Sequence, residues 1–210
     1  MSILVEISEL LQKGRVPLVK EKVQNAIDEG IDAKIILEEG LLSGMSIVGE
    51  KFKNNEVFIP EVLIAARAMN KGVEILKPYL VEAGVEPKGT AIIGTVKGDL
   101  HDIGKNIVKM MLEGKGLNVI DLGTDVVAEA FIDSAIENNA KIICCSALLT
   151  TTMGEMKNVV DAAIAKGVRD KVKIMVGGAP ITQEFCDSIG ADCYTPDAAS
   201  AAEVALSFCE

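Results

Sequence analysis

The stretch TAIIGTVKGDLHDIGKNIVKMM, Thr90 to Met111, decides the fold. An apolar run, Thr90 to Val96, is followed by a glycine-containing polar loop and then by apolar residues at helical spacing from about Lys105 to Gly114. An apolar run of this length, followed by an amphipathic segment, predicts a buried strand, a loop and a helix. The stretch therefore indicates one strand–helix unit of an α/β protein.

The same alternation continues to the end of the chain. Further apolar runs are LNVIDLG, AKIICCSAL, VKIMVGG and DCYT, and the predicted helices after them lie near 128–138, 155–166, 182–188 and through Phe208. Strands that are apolar throughout and separated by helices are typical of a parallel sheet covered on both faces. We therefore predict a flavodoxin-like, Rossmann-type α/β domain with a five-stranded parallel sheet at residues 89–210.

The first part of the chain has a different pattern. Apolar positions repeat at helical spacing in LVEISELLQ, VPLVKEKVQNAIDEG, AKIILEEGLLSGMSIVGEKF and PEVLIAARAMNKGVEIL. Gly30 ends the second of these segments, and Pro60 suits the start of the last. They predict a four-helix bundle, whereas residues 77–89, rich in Pro and Gly, read as a linker. The predicted domains are thus a helical domain with its linker at 1–88 and the α/β domain at 89–210.

Composition and charge exclude several classes of protein. The chain has 210 residues, a net charge of −10 and no basic cluster, which argues against a nucleic-acid partner. The N-terminal segment does not read as a secretory signal, and no apolar segment reaches the roughly 20 residues that span a bilayer. We therefore expect a soluble cytoplasmic protein with no membrane partner.

The five cysteines show no metal-binding spacing. Cys144 and Cys145 fall inside an apolar run, where small core residues are expected because free cysteine is commonly buried. Redox chemistry is the alternative, but no basic residue nearby would lower the pKa of these thiols.

His101 is the only histidine, and it lies in the loop that follows the first predicted strand. Ligands of such sheets bind beyond the carboxyl ends of the strands, where this loop lies. A loop histidine between two aspartates can be a solvated turn residue. However, Asp99 is close enough to bind one ring nitrogen and leave the other free, as in metal-binding imidazoles, and Gly98 and Gly104 allow close approach to a ligand. One histidine without a cysteine pair cannot make a protein-only metal site, which leaves a metal that brings most of its own ligands.

Two more loops are predicted at the same edge of the sheet. SALLTTTMG places hydroxyl groups at the end of the third strand, where they either line a site or cap the next helix. VGGAP removes side-chain bulk after the fourth strand, at Gly177, Gly178 and Ala179, which suggests that something is inserted there.

Taken together, Asp99-x-His101-x-x-Gly104, Ser146-x-Leu148 and Gly177-Gly178 resemble the cobalamin-binding signature of methionine synthase and of corrinoid proteins in methyltransferase systems. The stretch GMSIVGEKFKNNEVFIPEVLIAARAM is similar to the helical cap domain of the same proteins. The resemblance covers most of the chain. It implies that the cofactor is cobalamin or a related corrinoid, in which cobalt carries a methyl group.

The resemblance also implies a role for each residue. His101 would be the axial cobalt ligand in place of the cofactor's own base, and Asp99 and Thr152 would form a ligand relay with it, although methionine synthase has Ser at the last position. The corrinoid-binding loop would be Gly98, Asp99, Leu100, His101, Asp102, Ile103 and Gly104. The displaced nucleotide tail would pass Ser146, Leu148, Thr150, Gly177 and Gly178 and end near Tyr194. Phe58 would cover the methyl face, whereas its apolar character alone would suggest a core residue.

The implied function is that of a methyl carrier that is not catalytic alone. A substrate-specific corrinoid methyltransferase would load it, a second methyltransferase acting on tetrahydrofolate or a thiol such as coenzyme M would unload it, and a reductive activase would restore it. The length leaves no room for the substrate-binding barrels of methionine synthase, and the methyl donor stays open among methanol, methylamines, aryl methyl ethers and glycine betaine. Alternatives are a cobalamin-dependent mutase subunit, a cobalamin-dependent sensor or regulator, and a flavin or nucleotide domain.

Overall fold

The computed structural model describes residues 2–209. Contacts divide the chain into two compact units. The first contains the residues up to Pro87 with Gly114–Gly116, and the second contains Lys88–Glu113 and the residues from Leu117 onward. We retain the predicted boundary between residues 88 and 89 as a proposal.

The first unit is helical. Its elements are α1 (Ile3–Gln12), α2 (Val16–Asp28), α3 (Ala33–Ile35), a π-helical segment (Ile36–Leu42), α4 (Ser43–Lys53) and α5 (Ile59–Glu82). Asp32 caps α3 by accepting hydrogen bonds from the backbone N–H groups of Lys34 and Ile35. Ile7, Leu11 and Leu76 are fully buried, so the helical spacing of apolar residues forms a core as predicted.

The predicted linker at 77–89 is wrong in its first half, because α5 continues through Pro78 to Glu82. A proline inside a helix removes one N–H donor and crowds the carbonyl four residues earlier, and burial of Leu76 and Leu80 on either side offsets this cost. The helix ends at Glu82, and Gly84 just beyond it has a φ of +66°, which favours glycine. The π-helical segment was also not predicted, since its apolar residues follow the helical pattern.

The second unit is an α/β domain with five parallel strands. The strands are β1 (Thr90–Thr95), β2 (Asn118–Asp121), β3 (Ile142–Ser146), β4 (Lys173–Gly177) and β5 (Cys193–Tyr194), in the order β2-β1-β3-β4-β5. The helices are α6 (Ile103–Gly114), α7 (Ala128–Glu137), α8 (Gly154–Ala165), α9 (Gln183–Ile189) and α10 (Ala198–Ser207). The predicted flavodoxin-like sheet is confirmed.

The core of this unit explains the apolar strands. Ile92, Ile143 and Ile174 on adjacent central strands are fully buried. Cys144 and Cys145 are buried on β3, as predicted, and burial raises the pKa of Cys144 to about 12, which argues against redox chemistry. Since β1 lies between β2 and β3, strand order reverses at β1, and a ligand is expected beyond its carboxyl end.

Candidate functional site

The loop after β1 is held in place by the sheet. The backbone N–H of Val96 donates to the carbonyl of Ser146 (3.0 Å), and the hydroxyl of Thr95 donates to the carbonyl of His101 (2.8 Å). Thr95 is fully buried, so its hydroxyl fixes the far end of the loop from inside the protein. These contacts place Gly98 to Asp102 at the carboxyl edge of the sheet, as predicted.

Asp99 is the centre of the site, since its side chain is fully buried. Its Oδ1 accepts the backbone N–H of His101 (3.0 Å) and lies 2.6 Å from Nδ1 of the same residue. Its Oδ2 accepts the N–H of Leu148 (2.7 Å), the N–H of Leu149 (3.2 Å) and the hydroxyl of Thr152 (3.0 Å). Burial alone would raise the pKa of this carboxyl, but the hydrogen bonds outweigh it and hold the pKa well below its usual range. Asp99 is therefore an anion.

The ring of His101 is half exposed, with 51% of its side-chain area accessible. Because the Asp99 carboxylate can only accept, Nδ1 of His101 carries the proton of the 2.6 Å hydrogen bond. In the neutral ring, Nε2 is then unprotonated, and it contacts no hydrogen-bond partner among residues 2–209. The ring thus presents a free lone pair, which is the state in which an imidazole binds a metal.

The loop after β3 completes the surroundings of Asp99. The hydroxyl of Thr152 has two acceptors within reach, Oδ2 of Asp99 and the carbonyl of Leu149 (2.9 Å). The alternative in which these hydroxyl groups cap the next helix is wrong, because α8 begins after Met153 and receives no side-chain capping bond. Ser146 is half-buried, and Leu148 and Thr150 are exposed.

The two glycines after β4 have different surroundings. A Cβ atom on Gly177 would meet no atom within 4 Å, so open space lies beside it. A Cβ atom on Gly178 would lie 1.8 Å from the carbonyl oxygen of Ala147, and its φ is +138°, so only glycine fits there. Tyr194 ends the neighbouring strand β5 and packs partly buried against the core.

The predicted site residues therefore fall into two groups. The loops after β1, β3 and β4, together with Tyr194, share one edge of the α/β unit. Leu100 and Ile103 are 73% and 67% exposed beside His101, whereas Asp102 bonds the side chain of Asn106 in the first turn of α6. Phe58 belongs to the helical unit, where it is 63% exposed; the suggestion that it is a core residue is wrong.

Sequence reasoning missed several residues of this edge. Lys105 is buried, and its Nζ lies 2.6 and 2.7 Å from the two carboxylate oxygens of Asp121 at the end of β2. The side chain of Asp125 accepts the N–H of Gly98 (2.7 Å). The sequence holds one indication that Lys105 belongs to the site, because it directly follows Gly104, the last residue of the Asp99-x-His101-x-x-Gly104 motif.

These residues fit a cofactor that brings its own metal ligands. Within residues 2–209, no group of three or more His, Cys, Asp or Glu side chains could hold a metal ion. One half-exposed imidazole is aligned by Asp99, the apolar side chains of Leu100, Ile103 and Leu148 are exposed in the loops at the same edge, and space is open at Gly177. The fold and site thus define an α/β protein with a ligand site at the carboxyl edge of its sheet, whose residues fit a metal macrocycle that supplies most of its own ligands.

Comparisons with known proteins identify the cofactor class. A family model described as a B12 binding domain matches residues 89–206, and a second with the same description matches residues 3–77. A corrinoid protein of Desulfitobacterium hafniense (strain Y51) is 43% identical over 98% of this chain and 96% of its own length. Trimethylamine corrinoid protein 1 of Methanosarcina acetivorans is 46% identical over 84% of this chain and 83% of its own. A chain of the methanol:cobalamin methyltransferase complex MtaBC from Methanosarcina barkeri has a TM-score of 0.89 at 32% identity, covering 99% of this chain and 79% of that one.

The chain belongs to the family of B12-binding corrinoid proteins of methyltransferase systems. The predicted cofactor class and the predicted architecture, a helical bundle followed by a five-stranded sheet, are confirmed. Of the helices described here, none is long and apolar enough to cross a bilayer.

Proposed function

We propose that this chain is a methyl carrier in which His101 would bind the cobalt of a corrinoid in place of the cofactor's own base. The observation that carries the proposal is the Asp99–His101 pair: a buried anion 2.6 Å from Nδ1 and a free, half-exposed Nε2. When bound, the corrinoid supplies the cobalt centre that takes up and releases the methyl group.

The chain's own residues prepare the ligand. The N–H groups of Leu148 and Leu149 and the hydroxyl of Thr152 hold Asp99 as an anion before any cofactor arrives. Asp99 in turn holds the proton on Nδ1 of His101 and fixes the direction of the ring. The bond between Nδ1 of His101 and Oδ1 of Asp99 and the bond from the hydroxyl of Thr152 to Oδ2 of Asp99 join the three side chains into one network. This is the ligand relay that we propose.

We assign the nucleotide tail of the cofactor to the edge beyond β3 and β4. The open space at Gly177 supports this, as do the hydroxyl groups of Ser146 and Thr150, which make no hydrogen bond with another described residue. Gly178 keeps the loop close to Ala147, and Tyr194 borders the far end. The exposed Phe58 is our candidate for covering the methyl face.

The partners follow from the relatives. The trimethylamine corrinoid protein and the chain of the methanol:cobalamin methyltransferase complex are similar to this chain over most of its length. This similarity supports a substrate-specific corrinoid methyltransferase as the loading partner. A second methyltransferase, acting on tetrahydrofolate or a thiol such as coenzyme M, would unload the carrier, and a reductive activase would restore it. No observation described above favours a sensor or a mutase subunit.

Electron paramagnetic resonance tests the ligand assignment directly, because the chain contains one histidine. The protein is loaded with hydroxocobalamin, reduced to the Co(II) state and measured with natural-abundance and with 15N-labelled histidine. A protein imidazole on cobalt gives a nitrogen triplet that becomes a doublet with the label, and His101→Ala loses both. A triplet unaffected by the label would show that the cofactor's base is still bound and would overturn the assignment.

Methyl loading tests the carrier role. The reduced, corrinoid-loaded protein is incubated with a methylamine or methanol and with the methyltransferase specific for that substrate. The methylated corrinoid is then quantified by its visible spectrum. One methyl group per chain is expected, followed by its loss when the second methyltransferase and its acceptor are added. Failure of the chain to take up a methyl group from any such pair would contradict the role.

A further inference from the structure

Asp125 has an unusual backbone conformation in the connection between β2 and α7. Its φ is +56°, in the left-handed region that non-glycine residues rarely adopt and that Asp and Asn tolerate best. Two residues before Asp125, the carbonyl of Gly123 accepts the N–H of Thr95 (2.9 Å). Directly after Asp125, the N–H of Val126 donates to the carbonyl of Thr95 (3.0 Å). The segment is therefore tied to the end of β1 on both sides of Asp125.

Asp125 itself contacts the loop that carries the imidazole. Its Oδ1 accepts the N–H of Gly98 (2.7 Å), and its own N–H donates to the carbonyl of Asp99 (3.0 Å). Both bonds go to backbone atoms that flank the Gly98–Asp99 peptide, two residues from His101. Asp125 thus bonds to the backbone on both sides of the Gly98–Asp99 peptide.

Besides the bond from its own N–H to the carbonyl of Val96 (3.1 Å), Asp99 is held by two segments from outside its loop. The loop after β3 binds its carboxylate, and Asp125 binds the backbone from which that carboxylate extends. Since the ring of His101 is aligned by Asp99, a rotation of the Gly98–Asp99 peptide would move the ring. We propose that Asp125 is a positioning residue that fixes the direction of the His101 ring through this peptide, an inference that rests on the proposed ligand role of His101.

Three substitutions separate the two contributions of Asp125. Asp125→Asn keeps an oxygen acceptor and tolerates the left-handed conformation, so it serves as the conservative control. Asp125→Gly removes the acceptor without backbone strain, and Asp125→Ala removes the acceptor and adds strain. A purely structural role predicts that Gly preserves the ligand geometry, whereas a positioning role predicts that Gly and Ala both lose it.

The experiment measures ring geometry without and with the cofactor. Long-range 1H–15N spectra of the cofactor-free protein report the proton on Nδ1 of the single histidine; we expect wild type and Asp125→Asn to agree, and Asp125→Gly to shift toward averaged tautomers. With hydroxocobalamin, the share of the Co(II) signal that shows the 15N-histidine doublet should fall in Asp125→Gly. The affinity of Asp125→Gly for hydroxocobalamin should fall about 10- to 100-fold, which is the usual effect of replacing a residue that orients a metal-binding histidine.

The outcomes keep this inference separate from the proposed function. If wild type lacks the labelled doublet, the ligand role of His101 is wrong, while the spectra of the cofactor-free protein still decide whether Asp125 fixes the ring. If Asp125→Gly matches wild type in ring tautomer, doublet and affinity, Asp125 does not position the ring. Rescue of all three by Asp125→Asn is the expected result.

Discussion

The hydroxyl of Thr152 lies 3.0 Å from Oδ2 of Asp99, across 53 residues of sequence. Both side chains are buried, so this bond joins the loop after β3 to the loop after β1 inside the protein. It connects Asp99, which aligns the ring of His101, to a loop that lies outside the Asp99–Gly104 motif. The stability of the α/β unit and the state of the site therefore depend on the same contact.

Replacing Thr152 with Val tests this contact. Val has the same shape but no hydroxyl, so Asp99 loses one donor to a charged group, which typically contributes about 1.5–3 kcal/mol. We expect the free energy of unfolding in urea at pH 7 to fall by that amount. Thr152→Ser keeps the hydroxyl and should retain most of it. If Thr152→Val is as stable as wild type, the hydrogen bond does not contribute to stability.

The pKa of Asp99 predicts an acid dependence of stability. Its pKa is depressed in the folded protein, so its stabilising contribution is fully present above the unfolded value of about 4 and is lost as the pH falls below it. Urea unfolding of wild type and Asp99→Asn from pH 3 to 7 measures this contribution. We expect wild type to be more stable by about 2 kcal/mol or more at pH 7, and the difference to shrink below pH 4. A difference that is constant over this range would refute the depressed pKa.

Much of the fold could be predicted because the central strands β1, β3 and β4 lie in apolar runs. Ile92, Ile143 and Ile174 each lie within such a run and are fully buried. The path of α5 through Pro78 could not be predicted, because it depends on the burial of Leu76 and Leu80 against other helices. Local preference for a break is overruled there by packing.

Without the family resemblance, the site could be predicted only where its contacts are local. Asp99 and His101 are two residues apart, so their pairing can be read from the sequence. The N–H groups of Leu148 and Leu149 are donors that every residue has, and they leave no sequence signal. The burial of Lys105 was not predicted, because lysine is rarely buried without a partner and its partner Asp121 lies on strand β2.

The pair of Lys105 and Asp121 should contribute to stability. Lys105→Met preserves most of the volume but leaves Asp121 with only Lys109 and the N–H of Gly123. We expect a loss of about 1–3 kcal/mol in urea unfolding, less than for a fully buried pair because Asp121 is 21% exposed. The double variant Lys105→Met with Asp121→Asn should lose less than the sum of the single variants. Additive losses would show that the two side chains do not interact.

Gly177 and Gly178 offer a matched test of the slot proposed for the nucleotide tail. Gly178→Ala places a Cβ against the carbonyl of Ala147 in a strained backbone region, so it should lower the thermal stability of the protein. Gly177→Val adds its side chain to open space and should change the free energy of unfolding by no more than about 0.5 kcal/mol.

If the tail passes Gly177, the same Gly177→Val variant should bind hydroxocobalamin more weakly, because the new side chain occupies the path of the tail. A corrinoid without the nucleotide, aquacobinamide, provides the matched ligand, and its affinity should not change. Titrations of wild type and variant with both ligands, followed by visible absorption, measure the two effects. If the variant loses affinity for both ligands equally, the obstruction lies at the macrocycle, and if it loses affinity for neither, the tail runs elsewhere. Selective loss of the nucleotide-bearing ligand places the tail beside β4, because only that part of the cofactor then depends on the space that Gly177 leaves open.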